Sequence, residues 1–126
     1  MFQRWITLTH RRLAFWICLA VVLTLALIPP SPYVPTLWWD KANHALAFAV
    51  LAVLGSCSYP GRTSAVLLGL LGYGVLIELL QALTPYRTAE FADVLADAVG
   101  LVLGSQLVRL LQQLQKYAGA RKRGGG

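Results

Sequence analysis

The sequence predicts an all-α fold: an integral membrane four-helix bundle with both termini cytoplasmic. Three observations carry this. Hydrophobic residues make up 57% of the 126-residue chain and charged ones 13%, against roughly a quarter charged in soluble domains. Four apolar stretches, separated by short polar or proline-rich hinges, have the length and uniform hydrophobicity of membrane spans. Of the 11 Lys and Arg residues, only Lys41 and Arg87 fall at the end that this topology sends outside. The others lie at the inner end, as the positive-inside rule requires.

Each element has its own justification. Residues 1–12, MFQRWITLTHRR, form a basic cytoplasmic head. The uncharged run 13–28 is the first span, roughly 24 Å as a helix. A basic head before an apolar run also fits a signal peptide. Here the run closes on Leu27-Ile28-Pro29-Pro30, without a small-x-small cleavage site, so a retained helix is expected. Pro29, Pro30, Pro32 and Pro35 then predict an extended loop, because proline removes a donor and disfavours helix before it. Tyr33, Trp38 and Trp39 fit an interfacial aromatic belt.

The second span is expected at 42–59. Tyr59-Pro60-Gly61-Arg62 is a tight turn. The third span, 63–83, ends at Thr84-Pro85, and the fourth, 92–111, opens near Asp93. The four-helix domain covers 13–114, followed by a basic, Gly-rich cytoplasmic tail, 115–126, expected to be mobile. Gly69, Gly72 and Gly74 in the third helix, and Gly100 and Gly104 in the fourth, are small residues that permit close helix approach in a bilayer. Whether Gly100-xxx-Gly104 packs within the chain or between protomers of a homo-oligomer stays open from sequence.

The net charge of +6 comes from the two ends of the chain, not from a folded basic face, and no nucleic-acid-binding module is visible. Cys18 and Cys57 sit inside apolar stretches and read as small fillers. No cofactor is expected, and no ligand spacing specific for a metal is seen.

The topology sends the informative polar residues to one side. Asp40, Lys41 and His44 open the second helix; Glu78 and Gln81 close the third; Arg87 and Glu90 lie in the outer loop; Asp93 and Asp97 open the fourth. Asp40 and His44, and Asp93 and Asp97, are spaced i,i+4, while Glu78 and Gln81 are spaced i,i+3, so each pair shares a helix face. Ionisable groups in a span cost about 2.5–3.5 kcal/mol each at mid-helix, so they are expected to face the interior. All 5 acidic residues belong to this cluster. The excess over Lys41 and Arg87 implies that an acid is protonated, or that a cationic group or metal completes the balance. Arg87 is the expected partner of Glu78 and Asp97. A bland reading stands beside each residue: Asp40 and Asp93 complement helix dipoles, His44 and Gln81 bond neighbouring helices, Glu90 is solvated, and the set forms a structural ion-pair network.

The ordered set Asp40-Lys41-x-x-His44, Glu78-x-x-Gln81, Pro85-x-Arg87 and Asp93-x-x-x-Asp97-x-x-Gly100-x-x-x-Gly104 resembles the VanZ-like family of small bacterial membrane proteins. The resemblance covers roughly residues 38–104, with Asp97 standing where the family more commonly has Asn. It implies a multi-pass protein of the bacterial cytoplasmic membrane. The name-giving member is associated with low-level resistance to teicoplanin, a glycopeptide that acts on lipid-linked cell-wall precursors. The leading expectation is an outer-face site, formed by Asp40, Lys41, His44, Glu78, Gln81, Arg87, Asp93 and Asp97, that binds an envelope lipid, a glycopeptide-related ligand or a partner. The alternative is a membrane-embedded enzyme acting on a phosphate-bearing lipid, with His44, Glu78 and Asp93 as acid/base groups and Lys41 and Arg87 holding the phosphate. A transporter ranks last, because no acids lead inward along the helices.

Overall fold

A computed structural model describes residues 2–29, 38–85 and 89–125; within these, the side chains of 2–6 and 38–40 lie outside the description. Four helices and no strand occupy the described residues: α1 (Phe2–Leu27), α2 (Trp38–Ser58), α3 (Thr63–Ala82) and α4 (Phe91–Gly124). The all-α expectation holds.

Helices α1, α3 and α4 are long and apolar enough to cross a membrane. The 20 residues of α3 give about 30 Å of helix, the thickness of a hydrocarbon core. Among the described residues α2 falls outside this group by composition. Its first turns carry Lys41, Asn43 and His44. It packs against α1, α3 and, most extensively, α4, while Asn43, Leu46 and Val50 on its outer side are exposed.

Two helices outrun their expected bounds. The basic head is not separate but forms the first turns of α1. The tail continues α4 to Gly124, where the sequence suggested a mobile end. No proline interrupts this stretch, and Arg121, Lys122 and Arg123 in its last turn complement the helix dipole. Beyond Val108 the described α4 residues are exposed.

The α2–α3 connection is the tight turn expected. Arg62 N–H donates to the Tyr59 carbonyl at 3.1 Å, and Gly61 adopts φ +80°. This is the type II arrangement, in which proline suits the second position and glycine the third. Helix α3 stops where Leu83 and Thr84 N–H fold back onto the Leu80 and Gln81 carbonyls, just before Pro85.

The core is small and centred on α2: Phe48, Leu51 and Ala52 pack with Phe15, Leu70, Ile77 and Leu101. Around it the usual distribution is inverted. Leu68, Leu79, Val102 and Leu103 are exposed, while Glu78, Gln81 and Asp97 are buried. An apolar exterior with the carboxylates turned inward is stable in hydrocarbon, where nothing outside can satisfy a charge. The protein is a membrane protein.

Candidate functional site

The site begins with a seam of small residues. Helices α2 and α4 run parallel, with Gly100 against Ala45 and Gly104 against Ala49. A Cβ on Gly100 would overlap the Ala45 carbonyl oxygen, and one on Gly104 would meet the Ala49 oxygen at 2.5 Å. Only glycine lets the two backbones come this close. The Gly100-xxx-Gly104 pair therefore packs inside the chain, against an Ala-xxx-Ala pair on α2 that sequence reasoning passed over although its spacing is the same. Gly69 and Gly72 do not pack: a Cβ at either meets nothing within 4 Å among the described residues. Both are exposed on α3, and Gly69 borders a cleft between α3 and α1. Gly74 is the α3 glycine in contact, with a Cβ there meeting Asp97 Oδ2 at 2.7 Å and the Phe48 ring at 3.3 Å.

The seam brings His44, next to Ala45, onto Asp97, one turn before Gly100. His44 Nδ1 and Asp97 Oδ1 lie 2.8 Å apart, with Asp97 fully buried and the His44 side chain 15% exposed. Asp97 Oδ2 is buried with no hydrogen-bond partner among the described residues. On α3, Glu78 is 5% exposed. Its Oε2 accepts the Glu90 backbone N–H at 3.1 Å, which ties the start of α4 back onto α3. Its Oε1 is buried and without a partner among the described residues. Asp93, in the first turn of α4, completes the group: His44, Glu78 and Asp93 each place a ligand-type atom within 4.8 Å of the others.

The remaining expected residues divide. Lys41 Nζ lies 3.5 Å from Glu90 Oε2, an exposed pair, so Glu90 is engaged through both its backbone and its side chain rather than simply solvated. Gln81 points away from the cluster, its Nε2 donating to the Ala26 carbonyl of α1 at 2.9 Å; it is an interhelical tie. The Asp40 side chain and all of Arg87 lie outside the described residues. Asp97, for which Arg87 was the expected partner, is bonded by His44.

The opposite end of the bundle has a different character. There Arg12 donates through Nε to the Ser58 carbonyl at 3.1 Å and lies 4.8 Å over the Tyr59 ring, while Trp16 donates to the Tyr59 hydroxyl at 3.0 Å. These contacts tie α1 to the α2–α3 turn. Beside them a cleft of about 400 Å³ opens between α1 and α3, lined by Phe15, Leu19, Val66 and Tyr73 among others. Its walls are mostly apolar, with Arg62 and Tyr59 at one edge, and among the described residues it lacks the convergent acid and imidazole groups of the other end.

Fold and site thus define a small helical membrane protein whose buried carboxylates gather at one end of the bundle. The chain belongs to the VanZ/LLP1 family, whose sequence profile matches residues 4–112. The matched region ends where α4 leaves the bundle. No curated protein and no solved structure matches the chain.

Proposed function

We propose that the end of the bundle formed by His44, Glu78, Asp93 and Asp97 is a binding site, facing outward from the bacterial cytoplasmic membrane, for the headgroup of an envelope lipid or a glycopeptide-related ligand. The observation that carries this reading is the pair of buried, unpartnered carboxylate oxygens, Glu78 Oε1 and Asp97 Oδ2. A buried polar atom without a partner costs about 1–3 kcal/mol, more when charged. A ligand offering hydroxyl, amide or amine donors at Glu78 would offset that cost, and sugar- and peptide-bearing headgroups carry such donors. The outward orientation is supported by the basic residues: Arg11, Arg12 and Arg62 and the α4 tail all sit at the far end from the acids.

The test is native mass spectrometry of the full chain in lipid discs containing a lipid-linked cell-wall precursor against an excess of ordinary phospholipid. Selective retention by wild type, reduced at least about tenfold in Glu78→Gln, is expected if that donor contact carries roughly 1.4 kcal/mol or more. Equal retention of precursor and bulk lipid would refute the proposal.

A second reading, an enzyme acting on a phosphate-bearing envelope lipid, is favoured by one observation. The three side chains suited to acid/base work, His44, Glu78 and Asp93, converge. Lys41, one of the two cations expected to hold the phosphate, is already paired with Glu90, and the other, Arg87, lies outside the described residues. Turnover of a labelled lipid phosphate by wild type and not by His44→Ala would favour it over binding alone.

A further inference from the structure

We infer that His44, Glu78 and Asp93 form a binding site for a divalent transition-metal ion, held at the membrane edge with a coordination position left open. The role given to the ion, meeting a headgroup phosphate, rests on the lipid-binding reading above, with the ion in place of a headgroup donor at Glu78; its binding rests on the side chains alone.

Four observations converge. The first is proximity: one imidazole and two carboxylates from three different helices bring donor atoms within 4.8 Å of one another. An ion with bonds of about 2.0–2.2 Å would draw them together by side-chain adjustment alone. The second is the unpartnered oxygen. Glu78 is 5% exposed, and its Oε1 has no hydrogen-bond partner although Oε2 is engaged by the Glu90 N–H. One carboxylate oxygen is thus anchored while the other is left for a ligand.

The third observation is the histidine. Nδ1 is committed to the buried Asp97 at 2.8 Å, so Nε2 is the nitrogen left to take an ion. A carboxylate behind a ligating histidine is a recurrent arrangement: it sets the tautomer, orients the ring and strengthens the nitrogen as a donor. Asp97 is therefore a positioning residue, not a ligand. The fourth is charge. Glu78, Asp93 and Asp97 face the cluster, and the nearest described cation, Lys41, is taken up by Glu90. A divalent ion would balance two of these three acids.

One nitrogen and two carboxylate donors suit Zn²⁺ or Mn²⁺ better than the all-oxygen cations. With three protein ligands the ion keeps an open position, the pattern of sites that meet substrate instead of serving structure alone. Such an ion would turn an acidic pocket that repels phosphate into one that accepts it.

The experiment uses the full chain in detergent, stripped with chelator and titrated with Zn²⁺ and with Mn²⁺ by calorimetry, without added lipid. Wild type is expected to bind one of the two ions saturably at one per chain. Glu78→Gln retains an acceptor for the Glu90 N–H, and Asp93→Asn alters a half-buried residue, so both are expected to stay folded by circular dichroism while losing at least tenfold in affinity. Asp97→Asn should lose about 10–100-fold, the range for a carboxylate supporting a ligating histidine. Arg62→Ala, at the opposite end, should bind as wild type. No saturable binding by folded wild type, or equal binding by the folded Glu78 and Asp93 variants, would overturn the site. Ion binding without retention of the lipid-linked precursor would refute the lipid reading and leave the metal site standing; retention without ion binding would do the reverse.

Discussion

Removing His44 should damage the protein more than removing the charge of Asp97, although the two side chains form one contact. Asp97 is fully buried; Oδ1 rests on His44, and Oδ2 lies against Gly74 without a hydrogen-bond partner among the described residues. In His44→Ala both oxygens of a buried carboxylate are stranded, a loss of about 3–5 kcal/mol for breaking a buried pair from one side. In Asp97→Asn the amide oxygen still accepts from Nδ1–H and the charge is gone. What remains is one amide NH₂ in the place of Oδ2, an unsatisfied polar group worth about 1–3 kcal/mol. Because Oδ2 is already unsatisfied, the net change should sit at the low end of that range. In the double variant the orphaned group is neutral, so His44→Ala should cost less in the Asp97→Asn background than in wild type, by roughly 1–2 kcal/mol. The measurement is equilibrium unfolding of metal-free protein in mixed micelles, with all four members of the cycle compared under one condition. If His44→Ala and Asp97→Asn cost the same, or their effects simply add, the buried pair does not organise this end of the bundle.

Other expectations follow from single contacts. Gly100→Ala forces a Cβ into the Ala45 carbonyl and should destabilise by about 1–3 kcal/mol or more, whereas Gly69→Ala, which meets nothing within 4 Å, should cost nothing measurable; unfolding titrations of the two compared directly check this. Lys41→Ala removes an exposed 3.5 Å pair and should cost under about 1 kcal/mol, with the difference from wild type shrinking as salt rises. Truncation after Leu114 deletes exposed helix that packs on nothing in the described bundle, so the thermal midpoint in detergent should not move. Single cysteines at Arg62 and Arg87 should label from opposite sides of the membrane in intact cells; external labelling at Arg62 would invert the proposed orientation.

Much of this protein was legible in its sequence, because the bilayer reduces the choices. A span must bond its own backbone and must be apolar where it faces lipid, so the helices could be read from composition, and the Tyr59-Pro60-Gly61-Arg62 turn from its residue types. The clustering of His44, Glu78, Asp93 and Asp97 at one end also followed, since charge asymmetry orients every helix and helical spacing aligns each pair. Helix ends were less legible: a basic head and a basic tail have the composition of loops, and nothing local reveals that they extend α1 and α4. Pairing could not be read at all. Opposite charge pointed Arg87, which lies outside the described residues, toward Asp97; among the described residues the partner of Asp97 is His44, because the approach of α2 to α4 is set by Gly100 and Gly104 against Ala45 and Ala49. The four helices, their order and their polar end are properties of the sequence. Which glycines pack, which carboxylate meets the imidazole, and which oxygens are left without a partner depend on backbone separations that exist only once the helices have docked.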